Sequence, residues 1–334
     1  MLSLHIAIAL FPVLVFLAGL VVMDSFKLVP LRTVLLAIVI GAVAAVVCLM
    51  LHAWIEASGV TPIALKRYIA PLTEETAKAI FVVWLLARRR IGFAVDAAIA
   101  GFAVGAGFAV AENLDYLRAV ANARLLLWLV RGLGTAILHG AATCVFAIIA
   151  RSVFERHPGR PIRAVAPAWL AAVAIHGAFN NMVLPPLAAT LVLLIVLPLV
   201  ILIVFRRSEA ATREWVTGGL DLDLELLELI GSEDFVRTRF GAYLHGLKDR
   251  MSGPIVADMF CLLRLELELA VQAKAMLMAR DAGMHVTPDE DLRASLQELK
   301  YLETSIGRTG LLALEPLQVT SHRDKWHRYL LESL

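Results

Sequence analysis

Apolar residues fill seven stretches of the chain before residue 206, separated by short polar or charged intervals. A membrane-spanning helix needs about 20 mostly apolar residues. The runs near 5–23, 33–53, 68–87, 92–114, 124–150, 165–184 and 187–205 each approach that length. After Arg206 the pattern changes. Charged and apolar positions now recur with helical period, as in DLDLELLELI and FCLLRLELELAVQAKAMLMARDAG. The second segment is apolar enough to suggest another span, but Arg264, Glu266, Glu268 and Lys274 interrupt it, so amphipathic packing is expected. SGP at 252–254 and TPDED at 287–291 mark helix starts, with Pro early and acids in the first turn. The pattern therefore predicts an all-α protein. A polytopic membrane helix bundle of about seven spans occupies 1–206, and a soluble α-helical domain occupies 207–334.

Composition agrees with this division. Hydrophobic residues make up 60% of the 334 positions and mean hydropathy is +0.77, where soluble domains hold roughly 45–50% apolar residues. The lipid bilayer is thus the expected environment. A net charge of +2 offers no basic surplus, so nucleic acid is not an expected partner. Cys48, Cys144 and Cys261 lie far apart, which speaks against a disulfide framework or a thiolate zinc site. The first apolar run follows MLSLH without a basic residue and precedes no small-residue cleavage pattern, so a retained helix is expected rather than a signal peptide.

Charge in the short loops sets the expected orientation. Lys27 and Arg32, then Arg88, Arg89 and Arg90, then Arg151, Arg156, Arg160 and Arg163, and finally Arg206 and Arg207 fall in alternate loops. The intervening loops carry only Lys66, Arg67, Arg118 and Arg124. The amino terminus is therefore expected outside and the carboxyl terminus in the cytoplasm.

Ionisable residues within the spans are the candidate chemistry. A charge at the centre of a spanning helix costs about 2.5–3.5 kcal/mol on insertion scales. Glu74, Glu75, Lys78 and Glu112 would together cost on the order of 10 kcal/mol if buried and unpaired. Glu74 stands one turn before Lys78, so a self-neutralising interfacial pair is one explanation. The following spans weaken it. Glu112 lies one turn beyond Phe108, Arg131 and His139 sit inside apolar sequence, and His176 and Asn180 share a face at i, i+4. At 1.5 Å per residue, Glu74 and Glu75 lie about 10 Å below the outer boundary and His139 lies deepest, so the groups can converge in the outer half of the bilayer. Gly101 and Gly105 are spaced for close helix contact. Asp96, just past the arginine run, is expected in an interfacial ion pair; Arg131 either snorkels outward or counters the acidic cluster.

These residues resemble the PrsW family of bacterial intramembrane proteases. EETAK at 74–78 is similar to its EExxK motif and FAVAE at 108–112 to its FxxxE motif, while the histidine of LHGAAT and HGAFN at 176–180 resemble its third and fourth. The resemblance covers roughly residues 60–185. The family is similar to the CAAX prenyl endopeptidases, whose second motif has histidine where this chain has Glu112. The fourth motif is often HxxxD, whereas Asn180 stands here. The resemblance implies an endopeptidase of the bacterial inner membrane that cuts a membrane-anchored protein substrate, in a family that cleaves anti-sigma factors.

The residues suit peptide hydrolysis. One glutamate of the adjacent pair holds a proton while its neighbour, paired with Lys78, stays ionised. Either Glu74 or Glu75 is then the base, with His139, His176 and Asn180 positioning the water and stabilising the oxyanion, and Lys78 and Arg131 in support. The resemblance also implies a metal mechanism, with zinc held by Glu112, His139 and His176 and an open water position. Two other classes compete. Buried carboxylates and histidines also mark ion- or proton-coupled transporters, although the motifs show no inverted repeat. In a catalytically silent scaffold the C-terminal domain would do the work, by binding a partner or self-associating.

Overall fold

The computed structural model describes residues 2–24, 26, 28–119, 125–156, 161–284, 290–317 and 331. Lys27, Arg124, Arg160 and the first part of the TPDED helix start lie outside the described residues. Every regular element among the described residues is helical. The chain divides into two compact units, Met1–Ser208 and Glu209–Leu334.

The first unit begins with α1 (Leu2–Met23) and α2 (Leu31–Ala57). Thr61 then starts α3 (Pro62–Ala64), its hydroxyl accepting the Ala64 N–H at 3.3 Å, with Pro62 in the first helical position where no N–H is needed. A π-helical turn, Leu65–Ile69, carries α3 into α4 (Ala70–Ala87), so the EETAK motif follows an over-wide turn. Next come α5 (Ala94–Ala119) and α6 (Leu125–Leu129), and a second π-helical turn, Val130–Thr135, leads into α7 (Ala136–Arg156). The single helix expected near 124–150 is thus interrupted at Arg131. α8 (Pro161–Asn180) and α9 (Pro186–Gly231) follow. Neither Gly nor a second Pro intervenes between Pro198 and Thr217, so α9 runs unbroken past Arg206, where the apolar pattern stops.

α5 is the centre of the bundle. It packs against α1, α2 and α7, and α4 packs against α2, α7 and α8. In its most apolar 18-residue window 83% of positions are buried, against 22% in that of α1 and 28% in that of α2. A helix that is apolar all round belongs inside a bundle. Gly105 lets α5 approach α7 closely, since a Cβ there would meet the backbone of His139 and Gly140. Asp96 does not join the arginine run. Its Oδ2 accepts the N–H groups of Gly92 at 2.9 Å and Phe93 at 3.0 Å and so caps the start of α5, where free N–H groups attract a carboxylate. Arg151 donates to the Gly92 carbonyl at 2.6 Å.

Among the described residues, five helical stretches are long and apolar enough to cross a membrane: Leu4–Met23, Leu31–Ala57, Ala94–Ala119, Leu125–Arg156 and Pro186–Gly231. α8 has a shorter apolar stretch, Val165–Asn180, and α4 carries Glu74, Glu75 and Lys78. The protein is thus all-helical, with several candidate membrane-spanning helices.

The second unit contains the distal part of α9, then α10 (Arg239–Leu247), α11 (Gly253–Asp281) and α12 (Glu290–Leu314). α11 begins after Ser252 with Pro254 in its first turn. It buries Leu262, Leu265, Leu269, Ala273 and Leu277 at helical spacing and packs on α12. Lys274, only 2% exposed, ion-pairs with Asp223 at 2.7 Å and lies 5.0 Å from the centre of the Trp215 ring.

Candidate active site

Four helices bring their ionisable residues together inside the first unit. α4 supplies Glu74, Glu75 and Lys78, α5 supplies Glu112, α7 supplies His139 and α8 supplies His176. Glu74, Glu75, Lys78, His139 and His176 are all buried, and Lys78 is fully enclosed.

The two adjacent glutamates have different surroundings. Glu75 Oε1 accepts from Lys78 Nζ at 2.5 Å and from His176 Nδ1 at 2.8 Å. Glu74 points into a cavity of about 650 Å³ that Glu112, Arg131, His139, His176 and Asn180 also line. Its Oε2 is buried and has no hydrogen-bond partner. The 100° step between consecutive helical residues sends one carboxylate into the packing and the other to the cavity.

The partners assign the histidine tautomers. Lys78 Nζ, which can only donate, stands 3.1 Å from His139 Nδ1. Nδ1 is therefore the acceptor, and the ring proton lies on Nε2, which donates to Glu112 Oε2 at 2.9 Å. His176 donates from Nδ1 to Glu75, leaving the Nε2 lone pair unprotonated. Glu74 Oε2 is 3.9 Å from His139 Nδ1 and 3.8 Å from His176 Nε2. Three acceptor atoms thus face one another, and one ligand atom from each of these residues lies within 4.8 Å of the others. The two rings meet edge to face with centroids 5.0 Å apart, and Phe108 packs on both His139 and Lys78.

This set fits a divalent cation. An orphaned carboxylate oxygen and two imidazole lone pairs converge, and each imidazole is oriented from behind by a carboxylate, Glu112 for His139 and Glu75 for His176. Lys78 reaches the same His139 nitrogen, and Glu75 gives its ammonium a second seat. Sequence reasoning grouped Glu112 with the histidines as ligands. The structure puts Glu74 among the converging atoms, while Glu112 is held between His139 and Arg131.

A family described as PrsW family intramembrane metalloprotease matches residues 29–204, more than half of the chain. The chain belongs to the PrsW family. No curated protein and no solved structure matches it. The PrsW match contains every residue of the cluster, from Glu74 to Asn180. Membership makes this a multi-pass membrane protein of an intramembrane protease family, whose substrates are membrane proteins.

The remaining candidates are placed as follows. Arg131 turns to the acidic cluster, 3.3 Å from Glu112 Oε1. Asn180 reaches the cavity wall, but its amide donates to the Lys66 carbonyl at 2.9 Å, pinning the end of α8 to the first π-helical turn. Three residues at or behind the cavity wall escaped sequence reasoning. His52 lines the cavity and hydrogen-bonds to Thr73 at 2.8 Å; a lone histidine four residues before Glu56 in an apolar run was its signal. Asn113 and Tyr116 hold Arg131, and only their proximity to Glu112 in AENLDY hinted at it.

Proposed function

We propose that this PrsW member is an intramembrane endopeptidase in which Glu74 is the reacting carboxylate. The unpartnered Glu74 Oε2, set among the histidine lone pairs at the cavity wall, carries this reading. Glu75 is occupied by Lys78 and His176 and acts on orientation instead. Glu74 Oε2 takes the proton of a water that attacks the scissile carbonyl and later returns it to the leaving amine. His176 Nε2 accepts the other hydrogen of that water and fixes its direction, while His139 Nδ1, which accepts from Lys78, completes the wall. Asn180, whose amide donates to the Lys66 carbonyl, holds the cavity wall. In a metal-loaded form, Glu74, His139 and His176 would instead hold a divalent cation such as zinc with the same lone pairs, and it would supply Lewis-acid polarisation and an acidified water.

The same proposal covers topology. Residues 1–206 form the protease bundle with seven spans. α4 and α8 complete the set, because charges turned inward need no lipid-facing solvation. The amino terminus lies outside the bacterial inner membrane and the carboxyl terminus in the cytoplasm, so the site is in the outer half of the bilayer and cuts a membrane-anchored substrate near its outer end. A regulatory substrate of the anti-sigma-factor kind suits the family. Residues 207–334 form a soluble cytoplasmic domain that recruits a partner or self-associates.

Proteoliposomes carrying the protein and a panel of single-span substrates test this. Cleavage by the parent, lost in Glu74→Gln with the fold retained, supports the reading. Retained cleavage in Glu74→Gln removes the role of Glu74. Proton or solute flux without cleavage, abolished by the same substitution, would establish transport instead.

A further inference from the structure

Arg131 lies in the second π-helical turn, an unusual place for an arginine within a bundle. It is 7% exposed, and its surroundings fix it from three sides. Its Nε donates to Asn113 Oδ1 at 3.0 Å, its guanidinium lies 3.9 Å from the centre of the Tyr116 ring, and its Nη2 stands 3.3 Å from Glu112 Oε1. Asn113 is anchored in turn, its amide donating to the Ala9 carbonyl at 2.8 Å. The neighbouring Gly132 abuts α1 so closely that a Cβ would strike the Ile8 carbonyl. Arg131 is therefore set by α1 and α5 before it meets Glu112.

Glu112 is a bridge with distinct ends. Oε1 faces Arg131, and Oε2 accepts the His139 Nε2 proton at 2.9 Å. The opposite ring nitrogen, Nδ1, faces Glu74 and Lys78. An imidazole with a different partner on each nitrogen can be reversed by loosening either one. We propose that Arg131 is a positioning residue that acts through Glu112 on His139, fixing the carboxylate so that Nδ1, unprotonated, is the nitrogen presented to Glu74 and His176. This rests on the hydrolytic reading of the site. A guanidinium suits the task because its Nε is tied to Asn113 by a hydrogen bond while its charged Nη2, which makes no hydrogen bond, faces Glu112 as an ion-pair partner; an ammonium on a flexible stem has no such fixed second arm.

The test pairs kinetics with a spectroscopic readout. Arg131→Gln should lower kcat about 10- to 100-fold with KM within about twofold, as expected when an outer partner of an active-site histidine is lost. Arg131→Lys should recover part of the loss. In a Glu112→Gln background, adding Arg131→Gln should cost less than about twofold, because the route to His139 is already cut. Side-chain 15N spectra of histidine-labelled protein should show His139 protonated at Nε2 in the parent and a mixed or reversed tautomer in Arg131→Gln. Should Arg131→Gln fail to fold, Asn113→Ala, which unhooks the guanidinium but keeps its charge, should shift the same signal. An unchanged His139 signal, or a full multiplicative loss in the double variant, overturns the proposal. A parent that cleaves nothing but shows the tautomer change overturns the hydrolytic reading alone.

Discussion

Among the described residues, each unit of this protein buries one lysine against a carboxylate and an aromatic ring. Lys78 pairs with Glu75 at 2.5 Å beside Phe108, and Lys274 pairs with Asp223 at 2.7 Å near Trp215. By burial and pair distance the two are nearly alike. They differ in their surroundings. Lys78 also donates to a histidine, and the neighbouring Glu74 keeps a buried oxygen without a partner at the wall of a cavity. Lys274 joins α11 to the distal part of α9, and neither it nor Asp223 has an unpartnered buried side-chain atom. A buried ion pair is weak support for stability or for function by itself. What distinguishes the Lys78 pair is the unsatisfied carboxylate oxygen beside it at the wall of a cavity, where a ligand or reaction can use it.

Substitutions can break or sharpen that contrast. The largest effect is expected from Glu74→Gln, which should lower cleavage by at least about 100-fold, the scale of a lost general base, with little change in thermal midpoint. A large loss of stability instead would make Glu74 structural, like Lys274. Next is Glu75→Gln, which removes the orienting carboxylate from His176 and should cost about 10- to 100-fold in turnover. Normal turnover would show that His176 needs no such support. Lys274→Met should leave cleavage by the first unit unchanged and destabilise the second unit by on the order of 3 kcal/mol, by removing the ammonium that pairs with Asp223. Denaturant unfolding of the full chain measures it, and adding Asp223→Leu should recover most of the loss. The smallest effect is expected of metal exchange on the fold. Chelation followed by metal analysis should remove activity and any bound cation while circular dichroism stays unchanged, because Glu75, Glu112 and Lys78 already hold the histidines. Full activity in metal-free protein would leave the carboxylate mechanism alone.

Much of this was legible in the chain. The apolar runs showed where helices form, because length and hydropathy are local properties. The charges inside those runs marked the residues of the cluster, because insertion cost makes a charge in an apolar run conspicuous in any order of packing. The motifs gave the family, and the family match now covers residues 29–204. The amphipathic character of α11 was readable from Arg264, Glu266 and Glu268 for the same reason, while Lys274, which interrupts the same run, is buried in an ion pair.

Only the tertiary structure decided how these groups are arranged. Glu74 and Glu75 are identical in type and adjacent in the chain, so nothing local separates them; His176 from α8 and Lys78 meet one and leave the other facing the cavity. The resemblance grouped Glu112 with the histidines as ligands; in the structure it lies between Arg131, set by Asn113 and Tyr116, and the Nε2 side of His139. The π-helical turns before α4 and α7 rotate these side chains relative to an unbroken α-helix, and the apolar sequence gave no sign of them. Residue type and spacing determined which atoms were available, because those are properties of one helix. Which lone pairs point at one another depends on how four helices pack, and that was set by contacts between residues far apart in the chain.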